Sequence, residues 1–294
     1  RYNYSKKYLL GRIDILMGLG GGSSMDTAKG CNFILSNGGE MKDYWGSGKA
    51  TKEMLPLVAI PTTAGTGSEC QSFALIADAK THMKMACGDR KASARVAILD
   101  PELTLTQPTS VTAHTGIDAL THAIESAVTK SRTHISRAYS KLAFFLINKG
   151  FEAVIRNPSC LNSRAKVQLG AAYAGVAIEN SMLGAAHAAA NPLTAHCGVV
   201  HGQAVGVMIP HVIAWNSEDE GIRKIYEDLY PGDLSGRVVE LMDMVGMYKG
   251  ISDFGVEEEL ISTLAGEAAR QWTAEFNPRE AHCEDFKRLY TAAM

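Results

Sequence analysis

The sequence predicts two parts in tandem, an α/β part in the first third and an all-helical part in the remainder. Three observations carry the prediction. An apolar run, a glycine turn and an amphipathic run follow one another at IDILMGLG, GGGS and SMDTAKGCNFIL. Strand and helix patterns alternate as far as about Leu105. Beyond Pro108 the strand pattern stops and long stretches of helical period take over, which puts the boundary between residues 107 and 108.

In order, the chain opens on Arg1 and reaches IDILMGLG within a few residues, as if mid-domain, so strand and helix units are expected to precede it. IDILMGLG reads as a buried strand, and the glycine turn enters a helix. Strand, glycine turn and helix form a phosphate-binding arrangement, because glycines admit close approach and the free N–H groups of the helix start favour an anion. Gly20, Gly21, Gly22 and Ser23 are the candidates; glycine turns after strands also occur for steric reasons alone. A second strand, Leu55 to Ile60, runs into PTTAGTGSE, whose Thr62, Thr63, Thr66 and Ser68 offer hydroxyls to a ligand, or in the case of Thr66 and Ser68 a helix N-cap. SFALIAD and MKMACG, separated by AKTH, predict a hairpin, and RVAILD a further strand.

THAIESAVT, SRAYSKLAFFLINKGFEAVI, RAKVQLGAAYAGVAI and GQAVGVMIPHVIAW carry the helical half, with NSEDEG at 216 to 221 as a surface turn. GIDALTHAIES sets Asp118 and His122 four apart, on one helical face. His187 and His201 lie 14 apart, which on one unbroken helix would separate them by roughly 21 Å. The helix must therefore break between them, and Asn191-Pro192 and Cys197-Gly198 supply the means. One carboxylate and three imidazoles on separated helices then make a divalent-metal site.

With 29 Lys and Arg against 31 Asp and Glu there is no basic run to follow a phosphate backbone, so nucleic acid is not an expected partner. Apolar stretches such as AAYAGVAI fall far short of the ~20 residues a membrane-spanning helix needs, and the expected location is the cytosol. Six cysteines without CxxC spacing predict reduced thiols, with Cys197 a spectator near the ligands. His196 and His211 are spare imidazoles, read as structural or surface residues.

GGGSSMDTAK, PTTAGTGSE, DPEL at 100 to 103, GIDALTHAIES, GAAHAAANPL, VVHGQAVGVMIPHV and NPRE at Asn277 to Glu280 together resemble the iron-containing, group III alcohol dehydrogenases over nearly the whole chain. The resemblance implies a Rossmann-like dinucleotide-binding domain lacking its first strand-helix units, then a helical metal-binding domain, with hydride transfer in the cleft between a nicotinamide dinucleotide and a small alcohol or aldehyde. It puts Fe2+ (or Zn2+) on Asp118, His122, His187 and His201. It puts NAD or NADP against Gly21, Gly22, Ser23, Thr62, Thr63, Phe73, Lys84 and Leu103, with Thr66 joining from the hydroxyl loop. Asp26 shares the motif, as a cofactor contact or a support of the helix start. Many relatives carry a histidine near the nicotinamide where this chain has Asn191. The segment that distinguishes NAD from NADP has no counterpart here, and a homo-oligomer is implied. Two rivals stay open: a zinc-dependent polyol dehydrogenase of the glycerol dehydrogenase type, and a truncated, non-catalytic relative with a structural metal.

Overall fold

The computed structural model describes residues 13–78 and 84–294. The first part holds strands β1 (Leu16–Gly20), β2 (Gly46–Ser47), β3 (Leu57–Pro61), β4 (Phe73–Ala77), β5 (Lys84–Gly88) and β6 (Val96–Ala97), with helix α1 (Gly22–Asn37) after β1. They form two small sheets. In one, β1, β3 and β6 run parallel in the order β1-β3-β6, with Leu16 opposite Leu57 and Gly20 opposite Pro61. In the other, β4 and β5 pair antiparallel, Phe73 opposite Gly88, and β2 adds to β5. The expected hairpin is thus present in its strands; its AKTH turn, residues 79–82, lies outside the described residues.

Three expectations are corrected in detail. IDILMGLG is not buried on both faces. Gly18 faces α1, where even a methyl would meet Met25 Cα at 3.2 Å, whereas Met17 and Leu19 are 61% and 57% exposed among the described residues. A continuous apolar run shows that a strand could be covered, not which face has a neighbour. The second strand begins at Leu57, past Pro56, which has no N–H for a ladder. RVAILD shortens to Val96–Ala97, although the Arg95 and Ile98 amides still donate to the Leu57 and Ala59 carbonyls at 2.8 and 2.9 Å.

The second part is helical: α2 (Thr109–Val128), α3 (His134–Arg156), α4 (Leu161–Ser181), α5 (Ala185–Cys197), α6 (His201–Asn216), α7 (Glu220–Leu229), α8 (Leu234–Met244), α9 (Glu258–Ala268) and α10 (Cys283–Ala292). Asn216 ends α6, and the polar run after it turns the chain, with Asp219 capping α7 by accepting from the Ile222 N–H at 3.0 Å. At the centre lies α2, buried continuously from Gly116 to Val128. A helix covered on all sides has no solvent face for polar groups, so Asp118, Thr121, His122, Glu125 and Ser126 must find partners inside. No described helix is long and apolar enough to cross a membrane.

Glycines in PTTAGTGSE dock the two parts. A Cβ at Gly67 would meet Gly175 Cα of α4 at 2.6 Å, and one at Gly65 would meet Thr115 Cβ of α2 at 2.5 Å. Only bare backbone fits there, and Gly67 also has φ 63°. Polar ties complete the joint: the Ser72 N–H donates to Glu179 Oε2 at 2.9 Å, and Gln168 Nε2 donates to the Asp100 carbonyl at 3.2 Å.

Candidate active site

Three helices bring the predicted metal ligands together. Asp118 and His122 project from one face of α2, His187 stands in the first turn of α5, and His201 opens α6. Asp118 Oδ1 is the hub. The Nε2 atoms of His122 and His187 each lie 3.4 Å from it, and His201 Nε2 lies 3.8 Å away. One donor atom from each of Asp118, His187 and His201 falls within 4.8 Å of the others, and His122 adjoins them with its ring stacked on His187 at 4.8 Å.

The chain reverses between the two later histidines at one point, not two. Helix α5 runs straight through Asn191-Pro192 and ends at Gly198, whose φ of 66° and ψ of 15° form a left-handed cap. Pro192 removes one helical donor but, buried among its neighbours, does not turn the chain. Past the reversal, Gly202 lies flush against the His114 carbonyl, with no space for a Cβ, and this close approach of α6 to α2 sets His201 beside Asp118.

Electrostatics prepare the cluster for a cation. Burial works against the Asp118 charge, yet the imidazoles of His122, His201 and His187 hold its carboxyl well below the usual carboxylate range. Burial lowers His122 and His201 to about 4, so both are neutral, with lone pairs available, at neutral pH. Burial also opposes charging of His187, but the Glu125 and Asp118 carboxylates outweigh it and raise that imidazole to about 9. Asp118 Oδ1 and His187 Nε2 are buried without a hydrogen-bond partner among the described residues. A proton can sit between such atoms, and so can a metal ion, for which oxygen and imidazole nitrogen are suitable donors. The donor set fits a divalent cation.

One residue of this site has no counterpart among the predicted ligands. Glu125, 2% exposed, accepts from His187 Nδ1 at 2.5 Å through Oε2 and from the Ala186 N–H at 2.7 Å through Oε1. Its signal was in GIDALTHAIES: a carboxylate three residues past His122 and seven past Asp118, on the same face of the helix.

The cofactor candidates divide into those the fold joins and those it does not. Gly21, Gly22 and Ser23 form the junction of β1 and α1, at the carboxyl ends of parallel strands, where open α/β sheets bind ligands. Thr62 donates its N–H to the Gly20 carbonyl at 2.9 Å, and Thr63 and Thr66 stand over Gly21 and Gly22. Phe73 and Lys84 start β4 and end the same ladder on β5, Lys84 close enough to His201 to disfavour its charge. Leu103 lies in the short turn Pro101–Thr104. Phe73 also stacks on Trp272 of the helical part, with ring centroids 5.8 Å apart, spanning the two parts.

Asp26 and Ser68 are turned inward and do not line the open side of the turn. Ser68 Oγ donates to Asp26 Oδ1 at 2.6 Å, and the buried Lys29 ammonium donates to the Ser68 carbonyl, Ser68 Oγ and the Phe73 carbonyl at 2.7, 2.8 and 2.9 Å. Asp26 therefore ties α1 to the loop after β3 and does not touch the free N–H groups of the helix start. Ser68 caps no helix, and Gly67, the N-cap of the short turn Ser68–Cys70, has no side chain; Thr66 Oγ1 instead accepts from the Ser68 N–H that opens that turn, at 3.3 Å. Asn191 donates to Gln271 Oε1 at 3.1 Å. His196 pairs with Glu267 at 3.0 Å near the surface, burial alone depresses His211, and Cys197 packs at the edge of the helical core.

Comparison with known proteins accounts for both halves. A family model described as iron-containing alcohol dehydrogenase matches residues 5–101, and one described as Fe-containing alcohol dehydrogenase family, C-terminal, matches residues 112–294. The chain is 36% identical to NAD-dependent methanol dehydrogenase of Bacillus methanolicus, over 96% of this chain and 77% of the relative. It is 31% identical to lactaldehyde reductase of Escherichia coli, over 95% of this chain and 77% of the relative. Among solved structures, an alcohol dehydrogenase from Oenococcus oeni superposes with a TM-score of 0.90 at 29% identity, covering 96% of this chain and 77% of that one. A 1,3-propanediol oxidoreductase superposes with a TM-score of 0.89 at 28% identity and the same coverage. With both parts matched in order, the chain belongs to the iron-containing alcohol dehydrogenase family.

Proposed function

We propose that the chain interconverts a small primary alcohol and its aldehyde, with a divalent metal on Asp118, His122, His187 and His201 and a nicotinamide dinucleotide on the Gly21 to Ser23 turn. The observation that carries the proposal is the pair of buried atoms without hydrogen-bond partners among the described residues, Asp118 Oδ1 and His187 Nε2, 3.4 Å apart and adjoined by the His122 and His201 imidazoles. When bound, a divalent cation supplies Lewis-acid polarisation of an oxygen, and the nicotinamide ring gives or takes a hydride. The protein's own residues hold and aim. Asp118 contributes the negative charge, His122 and His201 neutral nitrogens, and Glu125 orients His187. Three imidazoles and a carboxylate suit Fe(II) and Zn(II) alike; iron is the proposed metal because the family is iron-containing. NAD is the proposed cofactor because the methanol dehydrogenase relative is named NAD-dependent. The names of relatives that act on methanol, lactaldehyde and 1,3-propanediol support a small substrate. Cytosolic action as a homo-oligomer completes the proposal; sedimentation measures the second.

Metal analysis joined to absorbance at 340 nm tests it, with short alcohols plus NAD and then NADP. Near-stoichiometric metal, NAD reduction, and loss of both in His187→Ala or His201→Ala are expected. Full activity after chelation and dialysis would overturn the metal assignment. A metal-loaded protein inert with every short alcohol and both cofactors would overturn the oxidoreductase assignment.

A further inference from the structure

Helix α5 carries His187 in its first turn, yet it begins without a cap of its own. Its N-cap is Gly184, which has no side chain to accept from the free N–H groups. Two residues distant in sequence supply the acceptors. Glu125 Oε1 from α2 takes the Ala186 N–H at 2.7 Å, and Asn277 Oδ1 from the NPRE segment takes the Ala185 N–H at 3.2 Å. A Cβ at position 184 would sit 2.9 Å from Asn277 Oδ1 and 3.1 Å from Glu125 Oε1, so the glycine makes room for both.

Asn277, 1% exposed, is itself locked. Its Nδ2 donates to Asn216 Oδ1 at 3.0 Å and to the Arg279 carbonyl at 2.9 Å, which fixes the amide with Oδ1 toward α5. Asn216 Nδ2 in turn reaches Asn277 Oδ1 at 3.3 Å and Tyr226 Oη at 3.2 Å. Arg279 anchors the segment on the Trp215 carbonyl and on Glu218. Glu125 does a second thing that a cap does not require: its other oxygen receives His187 Nδ1. A carboxylate can only accept, so Nδ1 must carry the proton, and in the neutral ring Nε2 is then left as a lone pair facing Asp118.

We infer that Glu125 and Asn277 are positioning residues: they cap α5 from outside it and thereby keep a proton on His187 Nδ1, so that Nε2, turned to Asp118, is the nitrogen a metal takes in place of its proton. This rests on the metal reading above. It assigns the NPRE motif a task, since Asn277 sets where the helix starts while Glu125 sets which nitrogen is available.

The test is metal binding, read without turnover. Apo-protein is titrated with Co(II), following both affinity and the visible spectrum. In Glu125→Gln the shape and one acceptor persist, but the amide can offer His187 a donor, which favours the wrong tautomer. The expected result is a fall in Co(II) affinity of about 10–100-fold, with a changed spectrum and an apo-protein melting point close to the parent's. Asn277→Ala, which removes the Ala185 acceptor and both Nδ2 bonds, should lower the melting point as well as the affinity. A measurement needing no variant is the tautomer of His187 in the Zn(II)-loaded parent, from two-bond 1H–15N couplings; Nδ1–H is expected and Nε2–H would overturn the inference. Parent affinity and spectrum in Glu125→Gln, beside a parent that binds one Co(II), would overturn the clamp alone. A parent that takes up no Co(II) would remove the metal reading and the clamp's role with it.

Discussion

Gly21 and Gly22 are neighbours in one turn, but the structure gives them opposite reasons to be glycine, and two alanine variants separate the reasons. At Gly22 a Cβ would lie 2.7 Å from both Thr66 Oγ1 and Thr66 Cγ2, so the residue is glycine for packing. Overpacking of this kind costs about 1–3 kcal/mol, and at about 2–4 °C per kcal/mol for a larger domain the melting point of Gly22→Ala should drop by roughly 2–12 °C. At Gly21 the nearest atom to a new Cβ is Thr63 Oγ1 at 3.4 Å, an ordinary contact, and the backbone at φ −75°, ψ −176° suits any L-residue. Nothing in the protein itself requires glycine there. Gly21 is the N-cap of α1, where alanine is a poorer cap than glycine, and this loss offsets the gain of about 0.4–1 kcal/mol through the unfolded chain, so Gly21→Ala should change stability by less than about 1 kcal/mol. What a methyl at Gly21 would obstruct is a ligand on the open side. Losing one charge-assisted hydrogen bond to a pyrophosphate costs about 1.5–3 kcal/mol, or roughly 10–150-fold in Kd. Calorimetric titration with NADH and thermal melts on the three proteins measure both quantities. Gly21→Ala binding NADH as tightly as the parent would refute the reasoning and leave the glycine turn a packing device.

Three further expectations come from the same half of the molecule and from Asn191. Lys29, 0% exposed, donates three hydrogen bonds and lies 3.7 Å from Asp26; Lys29→Met leaves that buried carboxylate without its cation and should cost about 3–5 kcal/mol by denaturant unfolding, much of it recovered in Asp26→Asn/Lys29→Met. Burial pushes the Glu69 carboxyl up to about 7, against the pull of its own backbone N–H and of Lys29. Between its ordinary 4.5 and about 7 the folded chain then holds a proton the unfolded chain releases, so this group's contribution to stability falls as pH rises through that window. Glu69→Gln should flatten the fall and raise stability at pH 8 by about 1–3 kcal/mol; an unaltered stability-pH curve would contradict the burial argument. Asn191→His should add an ionisation near neutrality to the kcat-pH profile, since an imidazole titrates at roughly 6.5 and an amide does not. Superimposable profiles would place residue 191 outside the proton path and leave its bond to Gln271 a packing contact.

Much of the fold was legible because its signals are local. The change from strand pattern to helical period near Pro108, and the pairing of Asp118 with His122, depend on residues a few positions apart. The convergence of His187 and His201 was legible as a necessity, but its hinge was half misplaced. Proline weighs as a breaker in sequence, whereas Pro192 in a buried alanine-rich helix gives up one donor and the surrounding packing holds the helix together. The reversal falls instead on Gly198, the position with positive φ. The exposed face of β1 and the inward turn of Asp26 were illegible for a different reason, because each depends on what stands opposite it in space.

Glu125 shows where sequence reasoning of this kind stops. Metal-ligand types advertise themselves, so attention settles on the Asp and the three His. The residue that aims one of them looks like a helix-surface glutamate until the helix proves to have no surface. In a helix buried from Gly116 to Val128, an interior carboxylate must either repay its desolvation through specific partners or be absent. Glu125 has two partners, a backbone N–H and an imidazole N–H, both at the start of the helix that bears the third ligand. The cost of burying it is thus tied to one geometry of His187. A chain that needed only a helix cap could have placed a serine at position 184, and the glycine there together with two acceptors brought from distant segments makes better sense as the construction of a site than of a helix.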